Sequence, residues 1–222
     1  MRKSEQLGGW IYYVLQLLVI PLILVRVNKL LGDPMNEAEI NFVFFAMNFA
    51  CAMFIFWRFL IANGKVALKN IGELLKGFVI AFALYWLFSI VMGIVIFYLY
   101  PDFANVNDAS IESLVNENAG LIALATVWLV PITEELFYRG LIFRGLYNHS
   151  RIAAYIVSTV VFSLVHVVGY IGLYEPMLLL MCFLQYLPAG ICLGLAYSLS
   201  DSIWAPVLIH IAINQIGMLS MR

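Results

Sequence analysis

The stretch GLIALATVWLVPITEELFYRGLIFRGL, Gly120 to Leu146, decides how the chain is read. It is long and apolar enough for a helix crossing a hydrocarbon core of about 30 Å, which needs about 20 apolar residues. Yet Glu134, Glu135 and Arg139 interrupt it, and an ionisable group within a span costs about 2.5–3.5 kcal/mol on insertion scales, so such groups are functional candidates. On an α-helix Glu135 and Arg139 are four apart and share a face, which allows an ion pair. Glu134 points about 100° away. One carboxylate is supported and the other is available. The plain alternative is a salt bridge at the membrane surface, but the apolar run resumes at Leu141, Ile142 and Phe143.

The rest of the chain has the same character. Of its 222 residues, 64% are hydrophobic and 11% charged, and the mean hydropathy is +0.97. A soluble domain carries about 25% charged residues, so lipid must cover the exterior. A formal net charge of -1 excludes the strongly basic footprint of a nucleic-acid binder. Cys51, Cys182 and Cys192 sit inside apolar runs and read as small core residues, not as a disulfide framework.

Scanning for span-length runs predicts an all-α, polytopic transmembrane helix bundle of about seven spans, in one integral membrane domain over residues 1–222. The spans are Trp10–Leu31, Ile40–Ala62, Phe78–Tyr100, Gly120–Leu146, Ile152–Leu173, Met177–Leu199 and Ser202–Leu219. The first follows Arg2 and Lys3 but is too long for a signal peptide, and no small-x-small cleavage site follows it, so it reads as an uncleaved span. Lys65, Lys69 and Lys76 alternate with Ala67, Ile71, Leu74 and Leu75, which predicts a short amphipathic helix lying in the headgroup plane. Pro101 to Glu117 carries Asp102, Asp108, Glu112 and Glu117 without a Lys or Arg and reads as an outer loop. The turn from Arg144 to Arg151 is basic. The positive-inside rule then sets the N-terminus in the cytoplasm; all of the 12 Lys and Arg agree except Arg26, Lys29 and Arg222, with Arg139 doing so only loosely.

Two further places carry polar groups inside spans, and a third lies in a turn. His166 stands alone in its run, with Phe162 one turn before it; His210 and Asn214 are four apart and share a helical face. Each has a bland reading as an interhelical hydrogen bond. At about 1.5 Å per residue, however, Glu134, His166 and His210 all fall between the midplane and the inner third of the bilayer, as one site requires. His149, with Asn148 and Arg151, reads as an ordinary interfacial turn. Gly190 and Gly194 fit close helix packing, and Pro131 or Pro206 can free a backbone group near the cavity.

A carboxylate and a histidine around a water, with a second histidine and an amide nearby, are the parts of a hydrolase that uses water directly. Glu134, helped by His166, would take the proton of a water attacking a peptide carbonyl. His210 and Asn214 would donate to the oxygen of the tetrahedral intermediate. A zinc site built from Glu134, His166 and His210 competes with this scheme, since two histidines and a glutamate are a known catalytic set. His-Glu-x-x-His is absent, and the ligands would come from three spans. The residues leave metal against no metal open.

Together these residues resemble the CAAX prenyl endopeptidase and bacteriocin-processing intramembrane proteases, also called the type II CAAX protease or Abi family. Glu134, Glu135 and Arg139 match Glu-Glu-x-x-x-Arg, followed by Gly140 and Arg144; Phe162 and His166 match Phe-x-x-x-His; His210 and Asn214 match His-x-x-x-Asn. The resemblance covers a catalytic core of about residues 120–219. It implies a hydrolase with Glu134 and His166 activating water, His210 and Asn214 forming an oxyanion hole, and Glu135 with Arg139 and Phe162 in support. It inclines the reading toward no required cofactor, with zinc as the alternative. The chain looks like the bacterial branch, which implies a multi-pass protein of the bacterial plasma membrane whose partners are the lipid bilayer and a peptide or membrane-protein substrate. Bacteriocin self-immunity, pheromone processing and control of a membrane sensor fit that branch equally.

Two other classes compete. A non-enzymatic immunity or regulatory protein would keep the cavity and sequester a peptide or dock on a membrane sensor kinase. A transporter would use the buried carboxylates and histidines as a proton relay, but no inverted repeat accompanies them.

Overall fold

The computed structural model describes residues 1–221; Arg222 lies outside them. Among the described residues the chain is helical, with α1 (Lys3–Leu18), α2 (Ile20–Leu30), α3 (Glu37–Lys69), α4 (Ile71–Leu99), α5 (Val106–Leu124), α6 (Val130–Glu135), α7 (Arg144–Tyr147), α8 (Arg151–Val168), α9 (Pro176–Ser200) and α10 (Trp204–Ser220). Two π-helical segments, Ala125–Leu129 and Leu136–Phe143, join α5 to α6 and α6 to α7. Five helical stretches are long and apolar enough to cross a membrane, or six when the pair α1 and α2 counts as one; Trp204–Ser220 is a shorter apolar helix.

The exterior and interior of the bundle invert the soluble pattern. Phe54 and Leu68 are about four-fifths exposed, whereas Glu135 and Arg139 are fully buried. α9 lies centrally, packed against α4 and α8, while α3 packs against α5 and α6. The close approach of α8 and α9 requires Gly190, where a Cβ would meet Thr159 Cγ2 at 2.7 Å and its Cα at 3.0 Å. α1 reaches the second π segment through Tyr13, whose ring lies 5.4 Å from Phe137, which in turn packs edge-on against Phe56 at 5.5 Å.

Several expected elements differ from those observed. The first span bends by 48° between α1 and α2, because Pro21 has no N–H for the preceding turn and its ring crowds that turn's carbonyl. The separate lysine-rich surface helix does not exist: Lys65 and Lys69 extend α3, Lys76 belongs to α4, and only Asn70 intervenes. The alternation of Lys with Ala and Leu continues both long helices as well as it would serve a short one.

The acidic outer loop is also helical from Val106, because Asn105 caps it by accepting from the amides of Asn107 and Asp108. That helix breaks at Asn118, whose backbone is extended and whose side chain caps the continuing turn through the Leu121 amide at 3.2 Å. The break falls beside the expected start at Gly120. Glu117 anchors the segment by accepting from the Ala38 amide of α3 at 3.0 Å. Finally, α8 ends at Val168, short of the expected Leu173.

Candidate active site

The site is built around the short helix α6, held between the two π segments. π segments of this kind recur at functional sites because they redirect side chains and free backbone groups. The first follows from Pro131. The Val130 amide donates to the Ala125 carbonyl, so it is lost to Thr126, and the next residue, Pro131, has no N–H to offer. The Thr126 carbonyl is thereby stranded, and the Asn214 side-chain amide of α10 fills it at 2.7 Å. A proline in one helix thus fixes the orientation of a candidate residue in another.

The adjacent glutamates separate as their helical phase predicts. Glu135 is fully buried and its Oε1 accepts from Arg139 Nη1 at 3.0 Å. The same oxygen lies 2.9 Å from His210 Nδ1. Arg139 also donates from Nη2 to the Gly190 carbonyl at 3.2 Å, and its guanidinium sits 4.8 Å over the Phe162 ring. Phe162 in turn packs 4.7 Å from the ring of His166 and 5.8 Å from that of His210. One aromatic ring therefore spaces both histidines and the arginine.

Glu134 keeps about a fifth of its side chain exposed, and its Oε2 lies 3.8 Å from His210 Nε2. That oxygen makes no hydrogen bond within the chain. Because Glu135 can only accept, His210 Nδ1 carries a proton. Its Nε2 then donates only when the ring is cationic.

His166 is held differently. Its Nδ1 lies 2.8 Å from the Phe162 carbonyl, an acceptor, so the neutral ring presents a lone pair at Nε2. It makes no hydrogen bond to Glu134, but both line one cavity of about 870 Å³, together with His210, Asn214 and Phe162. The expected catalytic residues thus meet at a single concavity. Among the described residues, no three His, Cys, Asp or Glu side chains stand close enough to hold a metal ion. Glu134, His166 and His210 are not gathered around a single point in this arrangement.

Sequence reasoning missed the opposite wall. Tyr186 stacks on His166 with ring centroids 4.2 Å apart. Its hydroxyl is held by Asn107 Nδ2 at 3.1 Å and lies 3.3 Å from Asp108 Oδ1, and Asn105 Nδ2 donates to Gln185 at 2.7 Å. Asp108, expected in an outer loop, instead sits on α5 beside this hydroxyl. No local signal sets α5 over the cavity. Gly190 was read as a packing residue alone, yet its carbonyl also anchors Arg139.

Fold and site together define a multi-pass membrane protein with a carboxylate and histidine cluster around an internal cavity, the architecture of an intramembrane hydrolase. The family model described as Rce1-like, Type II CAAX prenyl endopeptidase Rce1-like, matches residues 116–216. That segment contains Glu134, Glu135, Arg139, Phe162, His166, His210 and Asn214. The match covers a little under half of the chain and supports a CAAX-protease-like hydrolase embedded in a membrane. No curated protein and no solved structure matches the chain.

Proposed function

We propose that the protein cleaves peptide bonds of a membrane-associated peptide or protein with a water activated by Glu134 and His166, without a bound metal. The observation that carries this reading is that Glu134 lines the cavity with about a fifth of its side chain exposed, whereas Glu135 is fully buried with its Oε1 held by Arg139 and His210. In the proposed step the water oxygen attacks the carbonyl carbon while its proton passes to the Glu134 carboxylate. His166, with its Nε2 lone pair facing the cavity, polarises the same water. The carbonyl π-electrons move onto oxygen, which accepts from protonated His210 Nε2 and the second amide hydrogen of Asn214. Such donors are worth about 2.7–4 kcal/mol each in the barrier. Collapse breaks the C–N bond, and the proton held by Glu134 passes to the leaving amine.

In this scheme Glu135 and Arg139 hold His210 in its donating orientation. Peptide processing at a membrane, including self-immunity against a peptide toxin, is a setting this activity suits. The test is cleavage of membrane-peptide reporters by purified protein in liposomes. Wild type is compared with Glu134→Gln and His166→Ala, each with and without a strong chelator. The proposal expects activity that resists chelator and is lost in both variants. Chelator-sensitive activity restored by zinc would overturn the metal-free step. Reporter cleavage retained by Glu134→Gln would overturn the role of Glu134. A phenotype that survives in Glu134→Gln without cleavage would favour a binding protein instead.

A further inference from the structure

A second cavity, of about 330 Å³, lies apart from the catalytic one. Residues from distant parts of the chain line it: Arg2 at the start of α1, Arg58 in α3 and Arg144 at the start of α7. None of the three guanidiniums is in an ion pair among the described residues. Two are held by aromatic faces instead, Arg144 at 5.3 Å from the Phe59 ring and Arg58 at 4.8 Å from the Trp57 ring.

Two carboxylates share the lining, Glu5 and Asp201. Glu5 is already engaged, since its oxygens accept from the backbone amides of Arg2 at 2.7 Å and Phe59 at 3.0 Å. Asp201 is exposed and ends α9 in a left-handed conformation with φ of 49°. Three arginines border this one concavity, and cations that close on it repel one another unless an anion joins them. The planar, multi-donor guanidinium suits the tetrahedral oxygens of a phosphate group. Lys3 and Lys65 are the chain neighbours of the lining residues Arg2 and Val66, and clustered cations beside a span are where anionic headgroups gather.

We propose that Arg2, Arg58 and Arg144 form a binding site for a phosphate-type oxyanion, supplied by an anionic lipid headgroup or by free phosphate. The site joins α1 and α3 to α7, which follows α6 and its Glu134 across the second π segment. It does not depend on the proposed proteolytic step.

Thermal unfolding of the full chain in neutral detergent tests this. Phosphatidylglycerol, phosphatidylcholine, or inorganic phosphate against chloride at matched ionic strength would be added to wild type, Arg58→Gln and Arg58→Gln/Arg144→Gln. At about a hundredfold excess over Kd, an occupied site raises Tm by about 5–10 °C. The expected result is that rise with phosphatidylglycerol, a smaller one with phosphatidylcholine, and loss of most of it in the double variant. A shift with phosphate alone would assign free phosphate as the source, and one with the lipid alone would assign the headgroup. No shift with either, or equal shifts in wild type and both variants, would overturn the site. Should the double variant fail to fold, Arg58→Gln, at an exposed position, decides the comparison.

Discussion

Replacing each of the two adjacent glutamates by glutamine should produce opposite defects. In Glu135 a single buried oxygen serves both Arg139 at 3.0 Å and His210 at 2.9 Å. Hydrogen bonds to charged groups contribute about 1.5–3 kcal/mol each, and a neutral amide keeps about half of that. Glu135→Gln should therefore destabilise the fold by about 1.5–3 kcal/mol. For a chain of this size that lowers Tm by about 3–12 °C. Glu134 makes no hydrogen bond through Oε2, so Glu134→Gln should leave Tm within about 2 °C of wild type while slowing cleavage about 10²–10⁴-fold. Differential scanning fluorimetry in detergent, run beside the reporter assay, reads both quantities. If Glu135→Gln melts with wild type, or Glu134→Gln melts as low as Glu135→Gln is expected to, the division of labour between the two carboxylates is wrong.

Other expectations follow from individual contacts. Arg139→Lys should cost about 1–3 kcal/mol, because one ammonium cannot replace the fork that serves both Glu135 and the Gly190 carbonyl; thermal unfolding reads this directly. Gly190→Ala should destabilise by about 1–3 kcal/mol, since the new Cβ meets the Thr159 Cα at 3.0 Å as well as its methyl. Thr159→Ser in the same chain should recover only the methyl part, as a two-variant Tm comparison would show. Asn214→Ala should cost about 1–3 kcal/mol by leaving the Thr126 carbonyl unpaired. In a Pro131→Ala background the restored amide competes for that carbonyl, so a double-mutant cycle should show a smaller penalty there.

Much of this was legible before any coordinates. Composition alone required lipid on the outside, because 11% charged residues cannot cover a water-soluble surface. The four-residue spacing of Glu135 and Arg139 predicted their ion pair, and the phase of Glu134 predicted its separate exposure, since both depend only on helical periodicity. The spacing of Phe162 and His166 likewise put a ring one turn from a histidine. Pro131 signalled a freed backbone group, because a missing N–H is a property of the residue itself.

What local sequence could not supply was anything set by packing between distant helices. Lys65 and Lys76 read as a surface helix because amphipathic alternation looks alike in a short helix and at the ends of two long ones. Asp108 reads as part of an outer loop because nothing near it reveals that α5 lies against the Tyr186 hydroxyl. His210 and Glu135 are 75 residues apart, and their shared proton decides which ring nitrogen faces Glu134. Periodicity assigns a side chain to a face of its own helix, but only tertiary structure determines what that face meets. Hence the sequence by itself determined the membrane class, the helices and the candidate residues, while the packing of α6 against α3 and α10, and of the π segment after it against α8 and α9, decided which carboxylate is buried in support and which faces the cavity.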